Sequence, residues 1–180
     1  MSPRLIAGRY GGRQIRAPRG GATRPTSDRV REALFSILGG HVAGARVLDL
    51  FAGSGALGIE ALSRGAAEVT FVDSAPAAVR AIRANLEALG AAADVRRADA
   101  HRFLRSASGE GRHYDLVFLD PPYRLAERLG RELSEALPAV LAPGGLAISE
   151  SDRRSVLQLD MTPTDERRYG DTVIRIHGPR

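Results

Sequence analysis

The sequence predicts an α/β fold: a doubly wound, mostly parallel sheet of seven strands with helices on both faces and an antiparallel hairpin at one edge. Three observations predict it. From residue 46 onward, short apolar runs of strand character alternate with amphipathic helical stretches. A glycine-rich loop follows the first of those runs, where a strand hands over to a helix. The last two runs are joined by Gly170-Asp171, a turn of hairpin length.

The elements follow in order. Residues 4–16 pattern as a basic β-hairpin: Leu5-Ile6-Ala7, a turn region from Gly8 to Gly12, then Gln14-Ile15-Arg16. Pro18–Pro25, rich in Gly and Arg, reads as a loop. It divides a basic segment, 1–25, from the main unit, 26–180, within one compact domain. Thr26-Ser27-Asp28 offer caps for a helix over 28–38, whose Val30, Leu34, Ile37 and Leu38 share one face. Arg46–Phe51 is the first parallel strand and Ala56–Arg64 its helix. Glu68–Asp73 is the second strand. The helix Pro76–Leu89 comes next, with Ser74 placed to cap it and Val79, Ile82, Leu86 and Leu89 turned inward. Asp94–Arg97 is a short third strand, followed by Asp99-Ala100. Tyr114–Leu119, an almost unbroken apolar run, suits a strand buried on both faces. Leu125–Leu141 is helical, Pro143-Gly144-Gly145 turns the chain, and Leu146–Glu150 is the fifth strand. Asp165–Tyr169 and Thr172–His177 form the closing hairpin.

Composition narrows the function classes. A chain of 180 residues supports one domain with a substantial core. With no cysteine there is no disulfide, thiolate nucleophile or Cys-zinc site. His41, His101, His113 and His177 are scattered without ligand spacing, so no metal site is expected. No apolar stretch spans a bilayer and no signal peptide opens the chain, which predicts a cytoplasmic protein without membrane contact. Residues 1–31 carry eight arginines against one acid, whereas residues 32–180 carry eighteen against twenty. The whole positive excess is N-terminal, a footprint for a polyanion partner. Lysine is absent throughout, which reads as codon preference; that preference does not explain the asymmetry.

Gly53, Gly55 and Gly58 have the spacing G-x-G-x-x-G, a weak pattern that also describes nicotinamide dinucleotide sites. Asp73 lies 20 residues after Gly53, where an acid binds ribose hydroxyls in either case. Two features separate the alternatives. Asp49 ends the first strand just before the loop and would repel a pyrophosphate, yet attract the sulfonium and ammonium of S-adenosylmethionine. Asp99-Ala100 after the third strand offers a side-chain acceptor and a backbone amide for an adenine edge. Downstream, Asp120-Pro121-Pro122-Tyr123 follows the fourth strand. An exocyclic base amine is a poor nucleophile because its lone pair is delocalised into the ring. An ionised Asp120 and the carbonyl of Pro121 are two acceptors for its hydrogens, the latter held by restricted prolines. Tyr123 offers a face for stacking, worth roughly 1–3 kcal/mol. Alone, this tetrapeptide is a strand-end turn; with the cofactor loop upstream it points to methyl transfer onto a base amine.

In these motifs the chain resembles the RsmD family of bacterial rRNA methyltransferases. The resemblance covers nearly the whole length: Arg4–Gly8 with Gly12-Arg13, Arg24–Glu32, Val47–Gly58, Asp120–Tyr123 and Tyr169–Thr172. Arg24–Glu32 is the block that narrows the choice among amino methyltransferases. The resemblance implies a class I S-adenosylmethionine-dependent methyltransferase fold, Rossmann-like. It implies methylation of a guanine N2 in 16S rRNA, of the guanine-966 type, within an assembled or partly assembled small subunit, by a monomer. By position, Asp49 and Phe51-Ala52-Gly53-Ser54-Gly55 would cradle the methionine part, with Thr26 near its carboxylate. Asp73, followed by Ser74, would hold the ribose, and Asp99 and Ala100 the adenine. Asp120, Pro121 and Tyr123 would hold the guanine. Arg4, Arg9, Arg13, Arg16, Arg19, Arg24 and Arg29 would meet rRNA. Where members often carry Glu and a charged residue, this chain has Asp73-Ser74; the shorter acid still suits a diol. The motifs alone leave open a DNA adenine-N6 or cytosine-N4 methyltransferase, which usually needs a target-recognition domain for which 180 residues leave no room. They also leave open a non-catalytic RNA-binding or ribosome-assembly module, against which the intact Asp49, Gly53, Gly55, Asp120 and Tyr123 argue.

Overall fold

A computed structural model of the chain describes residues 3–18, 27–122 and 125–178. Seven strands form one sheet: β1 (Arg46–Asp49), β2 (Glu68–Asp73), β3 (Asp94–Arg97), β4 (Tyr114–Leu119), β5 (Leu141–Asp152), β6 (Pro163–Tyr169) and β7 (Thr172–His177). Their order is β3-β2-β1-β4-β5-β7-β6. The first five are parallel, and β7 runs antiparallel to both its neighbours. The order reverses at β1, so the β1/β4 crevice is the place where such sheets bind ligands.

Alternation along the strands builds two apolar layers. Val47, Phe71, Leu116 and Phe118 face one layer with α1 (Asp28–Leu38), α2 (Ala56–Ser63) and α3 (Pro76–Leu89). Leu48, Val72, Val117 and Leu119 face the other with α4 (Ala100–Gly109) and α5 (Ala126–Ala136). Ser27 caps α1, its hydroxyl accepting from the amide of Val30 at 3.2 Å.

The N-terminal hairpin is not a pair of strands: its arms meet at the single bridge Arg4–Gln14, and it belongs to the first layer. Leu5, Tyr10 and Ile15 are buried in it. The amide of Leu5 donates to the carbonyl of Arg13 and that of Gly12 to the carbonyl of Leu5, both at 2.8 Å. Gly8 has φ +78°, and a Cβ there would stand 1.8 Å from the carbonyl oxygen of Ser63 in α2. The buried Glu60 carboxylate accepts from the amides of Ile6 and Ala7, at 2.8 and 3.2 Å, and from Arg64 at 2.7 Å. Arg31, fully buried, donates to the carbonyl of Arg4 and to Asp28, with its Nε 4.0 Å from Glu60. Removing one partner from such a group leaves a charge uncompensated, which costs about 3–5 kcal/mol. The hairpin is thereby fixed to α1 and α2.

Several expected boundaries moved. Sequence reading placed no helix between β3 and β4, yet α4 fills that connection, with Asp99 as its cap and Phe103, Leu104 and Ala107 as its apolar face. Ser74 does not cap α3: the cap position is Ala75, whose amide donates to Asp73 Oδ1 at 2.8 Å, and Pro76 opens the helix. The helix expected to reach Leu141 ends at Ala136, because Pro138 lacks a donor and restricts the residue before it; a 3-10 turn, Leu137–Ala139, follows. Strand β5 begins at Leu141, and Pro143-Gly144-Gly145 is a bulge within it: Tyr114 pairs with Leu141 but Leu116 with Leu146. β1 ends at Asp49, two residues early, as the chain turns into the loop.

Candidate active site

The loop after β1 is held from several sides. The amide of Leu50 donates to the carbonyl of Phe118 at 3.2 Å and that of Ala52 to Val72 at 3.1 Å, so β4 and β2 both grip its start. The amide of Gly53 donates to Asp73 Oδ2 at 2.9 Å, which explains the 20-residue spacing: the acid at the end of β2 shapes the loop. Gly55, at φ +80°, is the cap position of α2, a left-handed conformation that favours glycine. At Gly58 the constraint is packing, since a Cβ would stand 2.3 Å from the Phe71 ring. Its amide donates to Asp49 Oδ2 at 2.9 Å.

Three acids, Asp49, Asp120 and Glu150, gather where β1 and β4 end beside β5. Asp49 is 2% exposed and Glu150 is 5% exposed. Asp120 lies one residue past Leu119, which pairs with Ser149, so Asp120, just beyond the end of β4, stands next to Glu150 inside β5, which runs on to Asp152 rather than stopping at Glu150 as expected. Burial, opposed by the Gly58 amide and reinforced by Asp73, raises the Asp49 carboxyl to about 7. Burial first, then the charges of Glu150 and Asp49, push Asp120 well above the usual carboxylate range. The ionised Asp120 expected from sequence is therefore disfavoured until a cation or a hydrogen-bond donor arrives. Such a cluster favours a positively charged ligand and opposes a phosphate. Among the described residues, no group of three or more His, Asp or Glu has an arrangement that could hold a metal ion. No helix of the described residues is long and apolar enough to cross a membrane.

The carboxyl ends of β1, β2 and β4 bring Asp49, the Phe51–Gly55 loop, Asp73 and Asp120 to one edge of the sheet. Asp73 is half-buried and keeps both oxygens on amides, those of Gly53 and Ala75. Ser74 is exposed beside it. Asp99 spends Oδ1 on the amides of His101 and Arg102, at 3.0 and 3.2 Å, a capping role that sequence reading did not foresee. Ala100 is buried behind it. Pro121 is buried and Pro122 exposed. Thr26, Tyr123, Arg19 and Arg24 lie outside the described residues. Arg4, Arg9, Arg13, Arg16 and Arg29 are all exposed. Arg9 lies 5.5 Å from the centre of the Tyr10 ring, and Arg13 donates to the carbonyl of Ala88 at 2.8 Å. Two residues of the site escaped notice. Glu150 repeats the signal of Asp49 and Asp120, an acid at the end of an apolar strand. Asn85 breaks the apolar face of α3 between Ile82 and Leu86.

The family described as Conserved hypothetical protein 95 matches residues 3–178. The chain belongs to this family. Its relatives agree with the RsmD resemblance. A Bacillus subtilis chain named as a candidate rRNA methyltransferase, YlbH, is 39% identical over 184 residues, covering 98% of this chain and 99% of that one. Ribosomal RNA small subunit methyltransferase D of Escherichia coli K12 is 43% identical over 122 residues, 67% of this chain and 60% of that protein. The solved structure of yhhF from Escherichia coli, named as a candidate methyltransferase, superposes with a TM-score of 0.83 at 35% identity, covering 100% of this chain and 99% of that one. The sheet order and the loop after β1 are thus those of an RsmD-type class I methyltransferase fold.

Proposed function

We propose that this protein is an S-adenosylmethionine-dependent methyltransferase that modifies the N2 amine of one guanine in 16S rRNA, of the guanine-966 type. The observation that carries this reading is the placement of Asp49, Asp120 and a glycine loop at one switch point, where β1 and β4 end side by side. Asp49 lies beneath the loop, and Asp120 opens Asp-Pro-Pro-Tyr on the adjacent strand. A pyrophosphate would add like charge there. When bound, S-adenosylmethionine supplies a methyl electrophile on a sulfonium, the charge these carboxylates favour.

The chain's own residues divide the work. Asp49 and Phe51–Gly55 hold the methionine part, with Thr26 near its carboxylate. Asp73 has a further lone pair on each oxygen for the ribose diol, beside Ser74. Asp99, through Oδ2, and Ala100 meet the adenine. Asp120 and the carbonyl of Pro121 accept the two amine hydrogens, and Tyr123 stacks on the base. Asp120, its basicity raised by burial, receives the proton the methylated amine gives up. Positioning supplies most of the rate. Arg4, Arg9, Arg13, Arg16, Arg19, Arg24 and Arg29 contact phosphates of the assembled or partly assembled small subunit, on which the protein acts as a cytoplasmic monomer. Mass spectrometry of rRNA nucleosides from cells with and without the gene tests this. One N2-methylguanosine should vanish with the gene; an unchanged nucleoside profile would refute the reading.

A further inference from the structure

Asn85 sits in the middle of the apolar face of α3 and is 3% exposed. All three hydrogen bonds of its side-chain amide leave the helix. Nδ2 donates to the carbonyl of Ser54 at 3.0 Å and to the carbonyl of Arg16 at 2.9 Å. Oδ1 accepts from the amide of Arg16 at 2.8 Å. Ser54 lies between Gly53 and Gly55 in the cofactor loop, and Arg16 ends the basic hairpin. One buried side chain thus joins the two. The first arm and the turn of the hairpin are fixed to α2, the helix that leaves the same loop: the amides of Ile6 and Ala7 on Glu60, those of Arg9 and Tyr10 on Ser63.

A buried amide that loses its partners keeps the full desolvation penalty. If the hairpin lifts, two of the three bonds of Asn85 break together, and the bond to the Ser54 carbonyl loses the support that fixes its geometry. If the loop rearranges, the third bond breaks and the other two weaken. Each conformation therefore favours the other.

We propose that Asn85 is a positioning residue that couples the arginine-bearing hairpin to the cofactor loop, so that RNA and S-adenosylmethionine bind with positive cooperativity. This rests on the function proposed above. By linkage the coupling is reciprocal, and couplings of this kind amount to about 5- to 150-fold.

The test is amide hydrogen exchange on the full-length protein, with and without saturating S-adenosylhomocysteine, saturation being verified by calorimetry on the same sample. In the wild type the exchange of Gly53 and of Arg16 should both slow, the latter by at least about fivefold. Asn85→Ala, and Asn85→Asp, which keeps the acceptor for Arg16 but sets a carboxylate against two carbonyls, should retain the effect at Gly53 and lose it at Arg16. Binding that slows Gly53 but leaves Arg16 unchanged in the wild type would overturn the proposal without recourse to any variant. So would variants that keep the Arg16 response. No binding at all would refute the proposed function, and this inference with it. On small-subunit particles, Asn85→Asp should raise KM for both particle and cofactor by about fivefold while kcat falls less; a variant that merely unfolds in part would lose kcat with both KM values unchanged.

Discussion

Asp49 is the proposed determinant of what the site binds. Its carboxyl titrates near 7 in the folded chain against 3.8 for an ordinary aspartate. Between those values the folded state holds a proton that the unfolded state has released, so this group's contribution to stability is full below 3.8 and is lost as pH rises through about 7. Asp120 acts with the same sign. His177, whose pKa burial lowers, acts oppositely below its ordinary value of 6.5. Asp49→Asn, which keeps an acceptor for Gly58, isolates the effect of this charge. Without cofactor, its melting temperature should exceed that of the wild type by several degrees at about pH 8, the gap narrowing as pH falls below about 7 and closing only near 3.8, since 1 kcal/mol moves a chain of this size by about 2–4 °C. A constant gap would contradict the assignment. The same charge governs binding: S-adenosylmethionine should bind more weakly as pH falls below about 7, by up to about tenfold per unit, and calorimetry should detect no NAD binding. At the base, Asp120→Ala should cost about a hundredfold or more in turnover, the scale of one preorganised transition-state contact. Tyr123→Phe should keep most activity and Tyr123→Ala little, because stacking uses the ring. Equal defects in the two tyrosine variants would mean that the hydroxyl has a role.

The strand-to-helix junctions do the positioning at the scale of elements. Gly58→Ala drives a methyl into the Phe71 ring and should destabilise by about 1–3 kcal/mol, while loosening the Asp49–Gly58 contact. Chemical denaturation measures the first effect, and cofactor affinity the second. The junctions were also the most legible part of the sequence. Asp49, the three glycines, Asp73 and Asp120 could be placed at strand ends because each strand is a short apolar run with an acid or glycine after it. α4 was legible in principle: Ala100, Phe103, Leu104 and Ala107 keep the i, i+3, i+4, i+7 spacing of an amphipathic helix, with Arg102, Arg105 and Ser106 on the opposite, solvent side. Asp99 drew notice only as a ligand group, whereas its first role is to cap that helix. Ser74 misled because Pro76 starts α3 without needing a side-chain cap.

For the molecule as a whole, the basic hairpin is both a wall of the core and the proposed contact with RNA. The charge asymmetry of residues 1–31 was plain in the sequence, but the burial of Arg31 against Glu60 was not, because those acids and arginines pair only through the tertiary fold. Deleting the hairpin would strip two amide donors from a buried Glu60 and two partners from Asn85. Removing charge while keeping the fold is the cleaner probe. Arg9→Gln with Arg16→Gln should leave thermal stability near that of the wild type, weaken binding to small-subunit particles, and make the salt dependence of affinity shallower by about 0.7–0.9 per lost phosphate contact. An unchanged salt slope would make these arginines a solvated surface only.

The most direct measurement is the reaction itself. Purified protein, S-adenosylmethionine with a labelled methyl group, and small-subunit particles are incubated, and the rRNA is digested to nucleosides. Label should appear in N2-methylguanosine at a single site and be lost with Asp120→Ala; label in N6-methyladenosine or N4-methylcytosine, or no transfer at all, would contradict the proposed function.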